Sequence, residues 1–121
     1  MKNAAQAYGN AVIQNASPRE LEATVLLDAA SRLQAARDAS GGRSDKLNHA
    51  LKYNEKLWTI LVTAATSNDN PLSVEIRQNI ANLGLFVFKQ TMMVMANPEP
   101  ERLGSLIDIN RQLASGLRSK A

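Results

Sequence analysis

The stretch from Leu72 to Met95 predicts a helix that is apolar on two sides. Read at about 100° per residue, its apolar side chains fall on two stripes roughly half a turn apart. The first stripe comprises Ile76, Ile80, Leu83, Val87 and Val94, and the second comprises Ala81, Leu85, Phe88, Met92 and Met95. A helix that is apolar all round must be covered all round, so the second stripe needs another layer of helices, a second copy of the chain or a client protein.

Neither this stretch nor the N-terminus has the form of a membrane or export segment. Lys89 and Gln90 interrupt the densest apolar part, whereas a membrane span needs about 20 mostly apolar residues. The N-terminus places one Lys before small and polar residues and lacks the continuous apolar region of a signal peptide. We therefore expect a cytoplasmic protein with no membrane association.

Capping and breaking residues divide the chain into helical segments. Ser17 and Glu20 form a capping box around Pro18, which sits at the first helical position, where its missing N–H costs nothing. Ser40-Gly41-Gly42 ends that helix, and two prolines interrupt the chain within residues 97–101. The predicted segments are a weak N-terminal helix or arm over 1–16 and main helices over 18–39, 46–66, 73–96 and 99–117.

No segment shows the alternation of apolar and polar residues that is typical of a strand. At 121 residues the chain has the length of one domain with a modest core. The sequence therefore predicts an all-α fold, a single compact bundle of four to five helices spanning residues 1–121. We expect Ser73 to cap the apolar helix.

Composition and charge exclude several classes of function. The chain has no cysteine, which excludes a disulfide framework, a thiolate zinc site and a cysteine nucleophile. His49 is the sole histidine and has no second ligand beside it, and the carboxylates are scattered rather than paired. We expect no enzyme activity, no metal and no cofactor. The net charge of +3 comes from basic residues spread singly among acidic ones, which argues against direct nucleic-acid binding.

The second stripe is the first candidate for binding a partner protein. Leu85, Phe88, Met92 and Met95 would line an apolar groove for an amphipathic helix if the bundle leaves them uncovered. Methionine suits such a surface because its flexible, polarisable side chain can repack around a partner. The alternative is that this stripe is core, since apolar helical stripes are more often core than binding site.

Aromatic residues outside this stripe give further candidates. Trp58, the single tryptophan, suits either a buried core or a binding interface. Tyr8 and Val12 lie on the weak first segment, where little nearby could bury Tyr8. We predict partner contact at Tyr8 and Val12 and retain both interpretations for Trp58.

Three motifs occur in order along most of the chain. The first is Tyr8 and Ala11 followed by Ser17-Pro18-Arg19-Glu20 at the start of an alanine-rich helix; the second is Asn54, Leu57 and Trp58; the third is Asn70-Pro71-Leu72 with Arg77 and Leu83. Together these motifs resemble the flagellar biosynthesis regulator FlaF family of alphaproteobacteria, whose signature includes Asn-x-x-Leu-Trp. The first third of the chain, with its Tyr…Ala-Ser-Pro-x-Glu-Leu pattern, is also similar to the flagellin export chaperone FliS.

The resemblance implies a cytoplasmic, non-enzymatic protein needed for flagellin production or secretion. The likeness to FliS implies a mechanism in which a small bundle holds the terminal amphipathic helices of unpolymerised flagellin in an apolar groove. The alternative is a post-transcriptional regulator of flagellin synthesis that acts with the repressor protein FlbT or on flagellin mRNA. Both a monomer and a homodimer formed through the second stripe remain open.

Overall fold

The computed structural model describes residues 18–39 and 45–119. These residues form four α-helices, with a 3-10 turn before the last: α1 (Pro18–Ala39), α2 (Asp45–Ala65), α3 (Val74–Ala96), the turn Pro100–Arg102 and α4 (Leu103–Ser119). No strand occurs in the described ranges, so the predicted all-α bundle is confirmed. The predicted segment 1–16 and the capping residue Ser17 lie outside the described residues.

The helix ends follow local sequence signals. Ser73 caps α3 as predicted, because its Oγ accepts a hydrogen bond from the backbone N–H of Ile76 at 3.2 Å. The last helix begins later than predicted because the 3-10 turn occupies Pro100–Arg102. Gln90 of α3 donates a hydrogen bond to the backbone carbonyl of Arg102 at 3.1 Å, which fixes this turn against α3. No helix in the described part of the chain is long and apolar enough to span a bilayer.

The most extensive helix–helix interface lies between α1 and α4. The two helices run antiparallel, since Gln34 of α1 bonds to Arg111 of α4, and Thr24 accepts from Arg118 further along. The buried side of α1 is rich in alanine, which lets the two backbones approach closely. The buried apolar residues of the pair are Ala23, Leu26, Ala29, Ala30, Leu33 and Ala36 on α1, and Leu103, Leu106, Ile107, Leu113, Ala114 and Leu117 on α4.

The second pair, α2 and α3, is also antiparallel. Arg77, near the start of α3, donates to the backbone carbonyl of Ala65 at the end of α2, at 2.8 Å. Gly84 lies in the middle of α3, and a Cβ placed on it would collide with the Val62 side chain of α2. The glycine therefore permits the close approach of the two helices. Helix α2 also packs against α1, whereas α3 makes only a small interface with α4.

Candidate functional site

The side of α3 that points away from the bundle carries a cluster of large, exposed apolar residues. We call it the α3 outer face and define it by Leu85, Phe86, Lys89, Met92 and Met93. Leu85 is 70% exposed and Met92 66% exposed, while Phe86 and Met93 are each 44% exposed. At about 100° per residue these five positions lie within an arc of roughly 120°. Contiguous exposed apolar clusters often mark a binding surface, whereas single exposed apolar residues are common on any protein.

The exposure of this face follows from how α3 packs. Its buried positions are Ile80, Gly84, Val87, Thr91 and Val94, which recur at spacings of three and four residues. Gly84 directs this stripe toward α2. The buried Thr91 hydroxyl donates to the backbone carbonyl of Val87 at 2.7 Å, so it adds no unpaired polar group to the core. Because α3 touches α4 only lightly, its opposite side is left without a neighbouring helix among the described residues.

The four residues predicted to form the groove fall into two groups. Leu85 and Met92 lie on the α3 outer face. Phe88 and Met95 are half-buried and pack against the core at its border. The second stripe of the sequence is therefore part core and part surface. Partner binding by this stripe stays a prediction, and Leu85 and Met92 are the two predicted residues that are exposed for it.

Three residues of the α3 outer face were not among the residues predicted from the sequence to bind a partner. Phe86, Lys89 and Met93 lie beside the predicted positions, on the side of α3 turned furthest from α2. Gly84 was the signal that could have identified them. A glycine within an otherwise apolar helix often marks the point where another backbone comes close, which would have fixed the inward direction.

The structure corrects one predicted partner contact. Trp58 is fully buried, so the prediction of direct contact with a partner is wrong for this residue, and its alternative interpretation as core holds. Its indole N–H donates to Asn110 of α4 at 2.9 Å, and the Asn110 amide donates to Asn54 of α2 at 2.7 Å. The Asn-x-x-Leu-Trp motif thus supplies two residues of a buried hydrogen-bond network. Tyr8 and Val12 lie outside the described residues.

A separate apolar groove lies between the first half of α3 and the second half of α4. Its volume is about 380 Å³, which suits one or a few side chains rather than a whole helix. None of the four predicted groove residues lines it. The lining residues are Ile76, Asn79, Leu83, Ile109, Gln112, Leu113, Gly116 and Leu117.

The titratable groups of the described ranges do not gather into a cluster that could hold a metal ion. His49 is exposed, and no group of three His, Asp or Glu side chains that could hold a metal ion occurs within residues 18–39 and 45–119. Burial raises the pKa of the Glu22 carboxyl, an effect that nearby Arg19 partly offsets. Burial also raises the pKa of Tyr53, as does its hydrogen bond to Asp28 at 2.9 Å.

Comparison with known proteins gives a family assignment. No curated protein and no solved structure matches the chain, so the likeness of its first third to FliS stays a prediction. The family model for the flagellar protein FlaF matches residues 4–117, nearly the whole length. The resemblance seen in the three motifs is thereby confirmed, and the chain belongs to the flagellar protein FlaF family.

Proposed function

We propose that this protein acts in flagellum biogenesis as a cytoplasmic secretion chaperone or export regulator of flagellin. In this proposal, the α3 outer face holds a terminal amphipathic helix of unpolymerised flagellin. The protein contributes binding and no chemical step, and needs neither metal nor cofactor. The observation that carries the proposal is the exposure of Leu85 and Met92 on a member of a flagellar protein family.

The chemistry of the face matches an amphipathic helix. Such a helix has its own apolar stripe, with side chains recurring every three or four residues, and this stripe must be covered before flagellin polymerises. The two methionines of the face have flexible side chains that can adjust to the shape of a bound helix. Burying four large apolar side chains that are now exposed gives the association a hydrophobic driving force.

The outer face suits a helix better than the groove between α3 and α4 does. The groove volume of about 380 Å³ accommodates only a few side chains. The outer face extends from Leu85 to Met93, which is about 12 Å along the helix axis at 1.5 Å per residue. That length presents two turns of α3 to a partner helix.

Size-exclusion chromatography with light scattering tests this function. The protein is mixed with monomeric full-length flagellin and, separately, with flagellin that lacks its terminal helices. We expect a complex with the mass of one copy of each chain for the full-length client and none for the truncated client. Failure to bind either form would contradict the proposal.

The alternative partner is the repressor protein FlbT, through which the protein would regulate flagellin synthesis. The same exposed apolar face supports this alternative, since it fits any partner with a matching apolar stripe. Binding to flagellin mRNA has less support, because the charge of +3 is small and dispersed. The same chromatography with FlbT in place of flagellin distinguishes the two protein partners.

A further inference from the structure

We propose that Lys89 selects the helix that binds the α3 outer face, by requiring an Asp or Glu within the apolar stripe of that helix. This inference rests on the proposed function and deepens it. It names flagellin as the occupant of the face and excludes a second copy of this chain. It assigns Lys89 the role of a specificity-determining residue.

Lys89 lies at the centre of the exposed apolar cluster. Leu85 and Phe86 precede it by four and three residues, and Met92 and Met93 follow it by three and four. On a helix these four spacings are the nearest surface neighbours, so large apolar side chains flank the lysine along the axis and on both sides. All four neighbours are exposed, and so is Lys89.

The lysine has no ion partner among residues 18–39 and 45–119. Among residues 18–39 and 45–119, the ion pairs involve other side chains: Arg32 with Asp28, Arg37 with Asp38, and Arg102 with Glu99. Glu75 is the acidic residue of α3, and it lies fourteen residues before Lys89, about 21 Å along the helix axis. The ammonium charge is therefore available to a partner.

Covering the face with another helix removes water from this ammonium group. A charge that loses its water is costly unless an opposite charge or hydrogen-bond acceptor replaces the water. The stem of a lysine can carry its charge to the edge of an apolar patch, but Lys89 has apolar neighbours in every surface direction along α3. A carboxylate on the covering helix provides the acceptor that this position needs.

The same charge disfavours a homodimer through this face. A two-fold axis through the centre of the face would pair Leu85 with Met93 and Phe86 with Met92, which is favourable for the apolar residues. It would also bring the two Lys89 ammonium groups together. Like charges that meet in a desolvated interface repel each other strongly. The preferred occupant is therefore a different chain, one that carries the opposite charge.

The test is calorimetric titration of monomeric full-length flagellin into the full-length protein and three variants. Lys89→Glu reverses the charge on the face, Leu85→Asp disrupts its apolar part, and Lys56→Glu makes the same charge reversal at an exposed lysine of α2. We expect Lys89→Glu to weaken binding on the order of 30-fold or more, and Lys56→Glu to leave it within about twofold. Circular dichroism of each variant is the check that its helices are retained.

A compensating substitution identifies the acidic partner. Replacing the matching Asp or Glu of the flagellin helix by Lys should restore binding to Lys89→Glu while weakening binding to the unaltered protein. Full-strength binding by Lys89→Glu together with lost binding by Leu85→Asp would overturn the inference and leave the proposed function standing. Absence of binding by the unaltered protein would overturn both. A dimer of the unaltered protein that Leu85→Asp dissociates would also overturn the inference, because it would place a second copy on the face.

Discussion

The indole N–H of Trp58 on α2 donates a hydrogen bond to the side-chain carbonyl of Asn110 on α4, at 2.9 Å and across 52 residues of sequence. Both side chains are fully buried. Asn110 in turn donates to Asn54, one turn before Trp58 on α2, at 2.7 Å. The two asparagines and the tryptophan thus join α2 to α4 through the core, where the backbones of these helices make no extensive interface. We infer that this network fixes the relative register of the two helices.

Asn110→Ala is expected to lower the free energy of unfolding by about 2–4 kcal/mol. The substitution leaves the Trp58 indole N–H and the Asn54 carbonyl buried without partners, and each unpaired group costs about 1–3 kcal/mol. Chemical denaturation followed by the fluorescence of Trp58, the single tryptophan, measures the change.

The other residues of the network and of α4 provide the comparisons for this prediction. Asn54→Ala should cost less, because the Asn54 side chain makes one hydrogen bond in the network and its amide nitrogen has no partner among the described residues. Asp108→Ala, at an exposed position of the same helix, should change stability by no more than about 0.5 kcal/mol. Equal effects of Asn110→Ala and Asp108→Ala would contradict a structural role for the network.

Gly84→Ala is expected to destabilise the protein by about 1–3 kcal/mol. The added methyl group would overlap the Val62 side chain, so α3 and α2 would have to separate or repack. Gly116→Ala is the matched control on α4, where nothing lies within 4 Å of the added atom. There the alanine should stabilise by about 0.5–1 kcal/mol, because glycine is a poor helix former.

A second substitution checks the cause of the Gly84 effect. Val62→Ala in the Gly84→Ala background removes the overlapping methyl groups and should recover part of the lost stability. Thermal unfolding of the single and double variants gives the coupling between the two positions. If the effects of the two substitutions simply add, the overlap is not the reason for the loss.

Glu22→Gln is expected to raise the stability near neutral pH. The folded state binds a proton on Glu22 more tightly than the unfolded chain does, because burial raises the pKa of this carboxyl above its ordinary value of 4.5. The stabilising effect of the protonated form is complete below the unfolded pKa and is lost as pH rises through the folded pKa. The glutamine stays neutral throughout, so its advantage should appear near pH 7 and vanish near pH 4.

Thermal melts at the two pH values measure this difference. Glu20→Gln is the control, since it makes the same substitution in the first turn of α1 at an exposed position. There the negative charge interacts favourably with the helix N-terminus, so its removal should not stabilise the protein. An advantage of Glu22→Gln that is equally large near pH 4 would show that ionisation is not its source.

The four described helices and the cap of α3 could be predicted from the sequence because their signals are local, whereas the start of α4 was placed too early. Ser73 caps α3 through a hydrogen bond to Ile76, three residues away. Pro98 and Pro100 interrupt the helical backbone whatever the tertiary contacts around them. The all-α fold could be predicted because the spacing of three and four between apolar residues is visible within each helical segment separately.

The two apolar stripes of α3 did not by themselves show which side is exposed, because that side depends on contacts between helices. When a helix is apolar all round, its pattern of apolar residues does not show which side faces the core. The approach of Gly84 to Val62, 22 residues earlier, sets which side is buried. Phe88 and Met95 consequently turned out to be half-buried, while Phe86 and Met93 joined the exposed set. Trp58 was ambiguous for a similar reason, since cores and interfaces both favour tryptophan.

The most direct measurement of whether the α3 outer face binds flagellin compares two aspartate substitutions in a titration with monomeric flagellin. Leu85→Asp places a charge on the face. Ile60→Asp places the same charge at another exposed apolar residue, 58% exposed on α2. Ile60 lies two positions from Val62, so it points about 160° away from the side of α2 that meets α3. Both variants should keep their helices, because neither position is buried.

We expect Leu85→Asp to weaken binding by at least about 2 kcal/mol, roughly 30-fold in Kd. Ile60→Asp should bind flagellin as tightly as the unaltered protein. Tight binding by a folded Leu85→Asp variant would contradict the assignment of this face as the flagellin site.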